Sequence, residues 1–312
     1  VADIDRGGVF ASVYGSIMLQ TEEDRRRIRG VIVNKFRGDL RLFDEGRRML
    51  EDITGVPVLG VIPYYKDIHI EEEDSVDLGI KDEGLGKKNE GVHVAVVRLP
   101  YISNFTDFDV LERDSRLSLF YTDKAAELSK ADVVILPGTK STLSDLRWLH
   151  QTGLAEAILR AHRYGKTILG ICGGFQMLGM EVLDPLHVEG DVERMPGLGL
   201  LPMTTTMNAE KTTRQVEFTF QGATCRGYEI HQGHSSLADT VVVHDHCLGT
   251  YVHGILDNQP FVDFLLRPFA DRVGESSTPF DHAAYKEQQY DLLAGHVRRH
   301  LDMEQVYAIL NS

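Results

Sequence analysis

The 312-residue sequence is short of several things, and each shortage narrows what the chain can do. It has three cysteines, Cys172, Cys225 and Cys247, with no CxxC spacing among them. That argues against a disulfide framework and a structural zinc site, and it suits a reducing cytoplasm. No run reaches the roughly 18 apolar residues that a membrane span needs. No basic, apolar leader opens the chain, so secretion is not expected. There is no basic excess either. Lys and Arg number 33 against 47 Asp and Glu, a net charge of −14, which argues against a nucleic-acid surface. The densest basic cluster, EEDRRRIRG at 22–30, reads as a solvated helix end with its acids alongside. Also missing are a starting methionine and any GxxxxGK[ST] phosphate loop. VADIDRGG enters at what reads as the end of a strand, so an N-terminally truncated fragment is expected.

What is present is enough for two α/β domains. At 42% hydrophobic and 26% charged residues, the chain reads as globular. In the first part, GVFASVYGSIML and RLFDEGRRMLEDITG are helix-like, and GVIVNKF (30–36) and VPVLGVIPY are strand-like. Strands alternating with helices of this length predict part of a parallel sheet. Residues 71–91 are polar and rich in charge and glycine, which marks a connector and a boundary near residue 90. A second series follows, with strands VHVAVVRLP (92–100), ADVVILPG (131–138) and KTILGI (166–171) around a helical stretch at 141–165. Shorter strand-like pieces then come at QVEFTF, CRGYEI, TVVVHD and GTYVHG. The expected division is 1–90, 91–270 and a helical tail, 271–312, packed on the second domain. In that tail Tyr285, Leu292, Leu293, Val297 and Leu301 fall near one helical face and are expected to pack.

The stretch ILGICGGFQMLG (168–179) carries the chemistry. A nucleophile on a strand-to-helix turn must project from a sharp bend, so its neighbours must be small. Gly170 and Gly174 meet that need around Cys172, and Gly173 adds freedom. A helix starting there aims its N-terminal N–H groups at the thiol and favours the thiolate. A thiolate needs a base, usually histidine. His253 in GTYVHGIL and His231 in GYEIHQGH are the candidates among 13 histidines. LPGTKST (136–142) follows a strand directly, so N–H groups near Gly138 are candidates for half of an oxyanion hole.

Together these features resemble the class I glutamine amidotransferases. The match rests on GICGGFQMLG, the upstream PG loop and the downstream YVHG histidine. LPYISNFTDFDVL (99–111), ILPGTKSTLSDLRWL (135–149), GYEIHQG (227–233) and the opening VADIDRGGVFAS narrow the resemblance to the cobyric acid synthase family. SNFTDFD is the most discriminating block. The resemblance implies a partial P-loop-type, dethiobiotin-synthetase-like parallel sheet followed by a flavodoxin-like glutaminase domain. It implies amidation of the b, d, e and g carboxylates of adenosylcobyrinic acid a,c-diamide, with ATP and Mg²⁺ for activation and glutamine as the ammonia source. Cys172 would form a glutamyl thioester, and His253 would act as base and then acid. Gly173 and the Gly138–Thr139 loop would face the oxyanion, and Gln176 would contact substrate.

One departure stands out. Many class I glutaminases carry a glutamate two residues after the histidine, where this chain has Ile255. The active unit is then a Cys–His dyad, or Glu229 or Asp257 orients His253. In the first domain, Asp3 or Asp5 is the candidate for Mg²⁺. Asn34 in VNKF is a candidate for adenine or for capping a turn. Without a phosphate loop, the chain by itself is not expected to bind ATP normally. Competing readings are a related amidoligase (a cobyrinic acid a,c-diamide synthase or a lipid II amidating glutaminase), a cysteine hydrolase without a synthetase partner, and a binding module with a dead glutaminase site.

Overall fold

The computed structural model describes residues 1–66, 68, 91–237, 239–273 and 282–312. The expected connector at 71–91 lies, apart from Gly91, outside these residues. The chain divides into two units, Val1–Glu71 with Ala283–Ser312, and Glu72–His282.

The first unit is built on a parallel sheet, β1 (Ala2–Asp3), β2 (Val31–Phe36) and β3 (Val58–Pro63), in that order. Val9, Val13 and Ile17 recur every four residues on helix Val9–Met18, so one stripe is buried against Val31, Val33 and Leu50. Helix Glu22–Arg27 begins at a Thr21 side-chain cap. Two of its arginines pair with its own acids, Arg26 with Glu22 and Arg27 with Glu23, while Arg25 donates to the carbonyls of Met18 and Gln20.

The C-terminal tail corrects the expected arrangement. It forms helices His282–His300 and Met303–Leu310 and belongs to the first unit, not to the second. Its bonds go to β3 and the residues after it. The Asp302 N–H donates to Leu59 O at 2.8 Å, and His296 Nε2 meets Pro63 O at 3.0 Å. The His296 ring stacks on Tyr65 with centroids 4.6 Å apart. A side chain at Gly60 would lie 2.1 Å from the His300 carbonyl oxygen, so only glycine lets the tail approach this closely. The expected apolar face turns out differently too. Leu292 and Leu293 are exposed, while Gln289 and His296 are buried.

The second unit centres on six strands: β4 (Val92–Val97), β5 (Leu117–Thr122), β6 (Val133–Leu136) and β7 (Thr167–Ile171), joined by two later ones. A second sheet takes β8 (Glu181–Leu183), β9 (Arg194–Pro196), β10 (Thr204–Phe220) and β11 (Ala223–Ser235). The last three strands are β12 (Val241–His244), β13 (Cys247–Thr250) and β14 (Val252–His253). The first sheet runs β12-β13-β7-β6-β4-β5, parallel except for edge strand β12. Strands β6 and β7 are buried along their whole length, as expected for strands covered on both faces. The other sheet runs β14-β11-β10-β8-β9. Strands β10 and β11 form one long hairpin, turned at Gln221 and Gly222, both at positive φ. The carboxyl ends of β4, β6 and β7 carry the loops that meet at the site, where parallel α/β sheets bind ligands.

Candidate active site

Cys172 follows β7 directly and caps helix Gly173–Leu178 with φ 54° and ψ −110°. A non-glycine residue in that region is strained by about 1–3 kcal/mol, and such strain persists only where the surroundings enforce it. The surroundings here are backbone. A Cβ on Gly174 would lie 2.0 Å from Leu136 O, and one on Gly170 would lie 2.8 Å from the Gly174 carbonyl carbon. The flanking glycines therefore let three backbone segments close under the cysteine. Its thiol is 7% exposed and donates to Ile230 O at 3.6 Å.

His253 ends β14 and is buried. Its Nδ1 donates to Asp107 Oδ2 at 2.7 Å, and the other oxygen of Asp107 accepts the Gly254 N–H at 2.9 Å. Burial pulls the imidazole pKa down, but the Asp107 bond and neighbouring Cys172 push it up further, to about 10. Nε2 is buried with no hydrogen-bond partner among the described residues. Cys172 lies close enough to raise the imidazole pKa by hydrogen bonding as well as by charge, while the thiol also meets Ile230 O. Gly138 marks where the groups converge. A methyl group there would lie 3.1 Å from His253 Cε1, 3.3 Å from Ser103 Oγ and 3.7 Å from Cys172 Cβ.

The sequence reading had left two histidines open, and the geometry brings His253 to the cysteine. His231 instead stacks on Tyr251 at 3.8 Å and turns Nδ1 toward Gly233 O at 3.2 Å. Burial holds its pKa below the ordinary value. The expected orienting carboxylates also give way. Glu229 accepts from Arg214 Nε at 2.8 Å, Asp257 lies in the turn Ile255–Asp257, and the carboxylate on Nδ1 is that of Asp107. The sequence reading missed Asp107, although it sits inside SNFTDFD, the block that set this chain apart. Its place in the loops beyond a parallel strand was the available signal.

The other candidates divide. A Cβ on Gly173 would lie 3.3 Å from the Thr139 nitrogen, so the backbones of the elbow and the PG loop face each other. The Thr139 hydroxyl is used within the scaffold, at Asp145 Oδ2 and Tyr101 O. Gln176 departs from its expected substrate contact. Its Oε1 accepts from Thr142 Oγ1 at 2.9 Å, and its Nε2 donates to Gln232 O at 2.7 Å and Tyr251 OH at 3.3 Å. That amide ties three segments together.

In the first unit, Asp3 at the end of β1 and Asn34 within β2 are register partners. Lys35 Nζ pairs with Asp3 at 3.0 Å, and Arg37 grips Asp5 with two bonds of 2.6 and 2.9 Å. These cations hold both carboxylates below the ordinary range. The Asn34 side chain accepts its neighbour's N–H, from Lys35 at φ 62°, which is the turn-capping alternative. Among the described residues no group of three His, Cys, Asp or Glu is placed to hold a metal. A cation at Asp3 or Asp5 would have to displace Lys35 or Arg37 from these carboxylates.

Residues 93–261 match the family described as a CobB/CobQ-like glutamine amidotransferase domain, and residues 3–77 match the CobQ/CobB/MinD/ParA nucleotide binding domain. The cobyric acid synthase of Bacteroides fragilis is 58% identical over 328 residues, covering 99% of this chain and 66% of that protein. That of Citrobacter koseri is 43% identical, covering 99% of this chain and 67% of that protein. The chain belongs to the cobyric acid synthase family. A third such relative, from Phocaeicola vulgatus, is 54% identical over 100% of this chain and 66% of its own length. The chain spans about two thirds of the length of these cobyric acid synthases. The α/β fold and the glutaminase-type second unit agree with that membership. No helix among the described residues is long and apolar enough to cross a membrane.

Proposed function

We propose that this chain carries the glutamine-hydrolysing half of an ATP-dependent amidoligase. Its acceptors would be the b, d, e and g carboxylates of adenosylcobyrinic acid a,c-diamide. The observation that carries the glutaminase part is the buried His253–Asp107 pair beside a cysteine in a strained elbow. Relatives named cobyric acid synthase support the corrinoid acceptor, and the nucleotide-binding match at 3–77 supports ATP use. Three free cysteines suit a reducing cytoplasm.

In this reading, the proton of the Cys172 thiol already rests on His253 Nε2, as the raised imidazole pKa favours, and the thiolate Sγ attacks the side-chain amide carbon of glutamine. The negative oxygen of the tetrahedral intermediate faces the N–H groups of Gly173 and of the Gly138–Thr139 loop. The imidazolium returns its proton to the nitrogen, the C–N bond breaks and ammonia leaves. The glutamyl thioester remains. Water then attacks it, giving its proton to Nε2, and glutamate departs as the Cys172 thiolate is restored. Asp107 stays ionised and holds Nδ1–H throughout, so Nε2 is the nitrogen that exchanges protons.

The test is release of glutamate and ammonia from L-glutamine, with mass spectrometry of the acid-quenched protein. A glutamyl adduct on Cys172 and loss of turnover in Cys172→Ala are expected. Equal turnover in that variant, or an adduct elsewhere, overturns the reading.

A further inference from the structure

The Asp107 bond restrains the His253 ring within its own plane. Nothing in that bond stops the ring from swinging out of plane. The second restraint comes from β11. Tyr228 is the register partner of His253 across the β11–β14 ladder. Its ring stacks on the imidazole, with centroids 5.3 Å apart and planes 23° apart. The far end of Tyr228 is anchored as well. Asn104 Nδ2 donates to the tyrosine oxygen at 2.8 Å.

Asn104 and Asp107 sit at the two ends of one turn. Asn104 has φ 56° and precedes the short 3₁₀ helix Phe105–Phe108, and its carbonyl accepts the Asp107 N–H at 3.0 Å. The turn thus reaches the catalytic ring twice, through Asp107 in the ring plane and through Tyr228 along its normal. Strand β11 connects to the nucleophile too, because Ile230, two residues on, offers the carbonyl that takes the Cys172 thiol.

We infer that Tyr228, held by Asn104, is a positioning residue that fixes the plane of the His253 imidazole against Cys172. This rests on the glutaminase reading. An aromatic face also favours a cation over it, so Tyr228 supports the imidazolium as well as the orientation. Among the described residues, Asp107 from the turn after β4, Cys172 from the elbow after β7 and Tyr228 from β11 are titratable groups that face His253.

The experiment compares Tyr228→Leu, Tyr228→Phe and Asn104→Ala in the whole chain. Steady-state glutamine hydrolysis is measured alongside NMR titration of ¹⁵N-histidine-labelled protein, with His253→Gln identifying the signal. Tyr228→Leu is expected to lower kcat about tenfold with KM little changed, and to lower the His253 pKa by about half to one pH unit, the size of one cation–π contact. Tyr228→Phe and Asn104→Ala both remove the Asn104–Tyr228 hydrogen bond and keep the ring, so a smaller kcat loss of about threefold to tenfold is expected. If Tyr228→Leu does not fold, those two variants decide the question. An unchanged kcat and titration in the folded variants overturns the inference. So does a raised KM at constant kcat, which would make Tyr228 a substrate contact. The NMR titration decides even if glutamine proves not to be the substrate.

Discussion

Asp107 and His253 stand 146 residues apart in the chain, and their side chains meet at 2.7 Å inside the protein. The two reach each other because β4 and β14 end at the same side of the second unit. The carboxylate that meets this imidazole comes from the turn after β4 and not from two residues downstream. Ile255 is free to be a buried core residue as a result.

Asp107→Asn is the sharpest test of that exchange. The amide keeps the volume but can donate to Nδ1, which would leave the ring in the wrong tautomer with Nε2 protonated. We expect kcat for glutamine hydrolysis to fall about 10²–10⁴-fold, the usual worth of positioned acid–base catalysis. Thermal stability should change far less than activity. Retention of wild-type kcat would mean that Cys172 and His253 act as a dyad.

The raised pKa of His253 gives a stability prediction with a definite sign. Its value in the folded protein is about 10 against 6.5 for the free side chain. The folded state therefore binds a proton that the unfolded state releases above pH 6.5. The contribution is full below 6.5 and is lost as pH rises toward 10. The thermal midpoint of the wild type should drop across this window more than that of Asp107→Ala, whose imidazole has lost its main support. Parallel curves for the two proteins would refute the assignment.

Much of this was readable from sequence, and the failures have a common cause. Strands β4, β6 and β7 announce themselves as apolar runs, and the glycines around Cys172 announce the elbow. Strand β5 went unread, because LSLFYT mixes polar and apolar residues at a sheet edge. The β10–β11 hairpin was seen only in its apolar pieces, since its many exposed residues carry no hydrophobic pattern. The pairing of Asp107 with His253 and the tail's partner were hidden, because both depend on contacts between segments remote in sequence. Apolar spacing in the tail pointed to Leu292 and Leu293, while the contacts that bind it use His296 and the bare backbone at Gly60.

Two glycines near the cysteine should respond oppositely to the same added methyl. Gly174→Ala places a carbon 2.0 Å from Leu136 O, a rigid backbone atom. That forces strand and helix apart and should destabilise the fold by about 3 kcal/mol or more. Gly138→Ala places its carbon 3.1 Å from His253 Cε1 and 3.7 Å from Cys172 Cβ. The ring can yield by a few tenths of an ångström, so the fold should survive while the imidazole leaves its line to the thiol. We expect a near-normal melting temperature with kcat reduced at least tenfold. Normal kcat in Gly138→Ala would place the reacting atoms elsewhere.

The tail contact is tested at Gly60. Gly60→Val would drive its side chain into the His300 carbonyl oxygen, 2.1 Å from where a Cβ must stand, and into Leu301. The tail should then lose the bond of His296 to Pro63 O and that of Asp302 to Leu59 O. Hydrogen exchange should quicken at Asp302, whose N–H is held by Leu59 O, while amides of β6 and β7 keep their protection. Because β6 and β7 belong to the second unit, glutamine hydrolysis should persist in this variant. If protection fell equally in both units, the tail would be part of a single cooperative structure rather than a piece of the first.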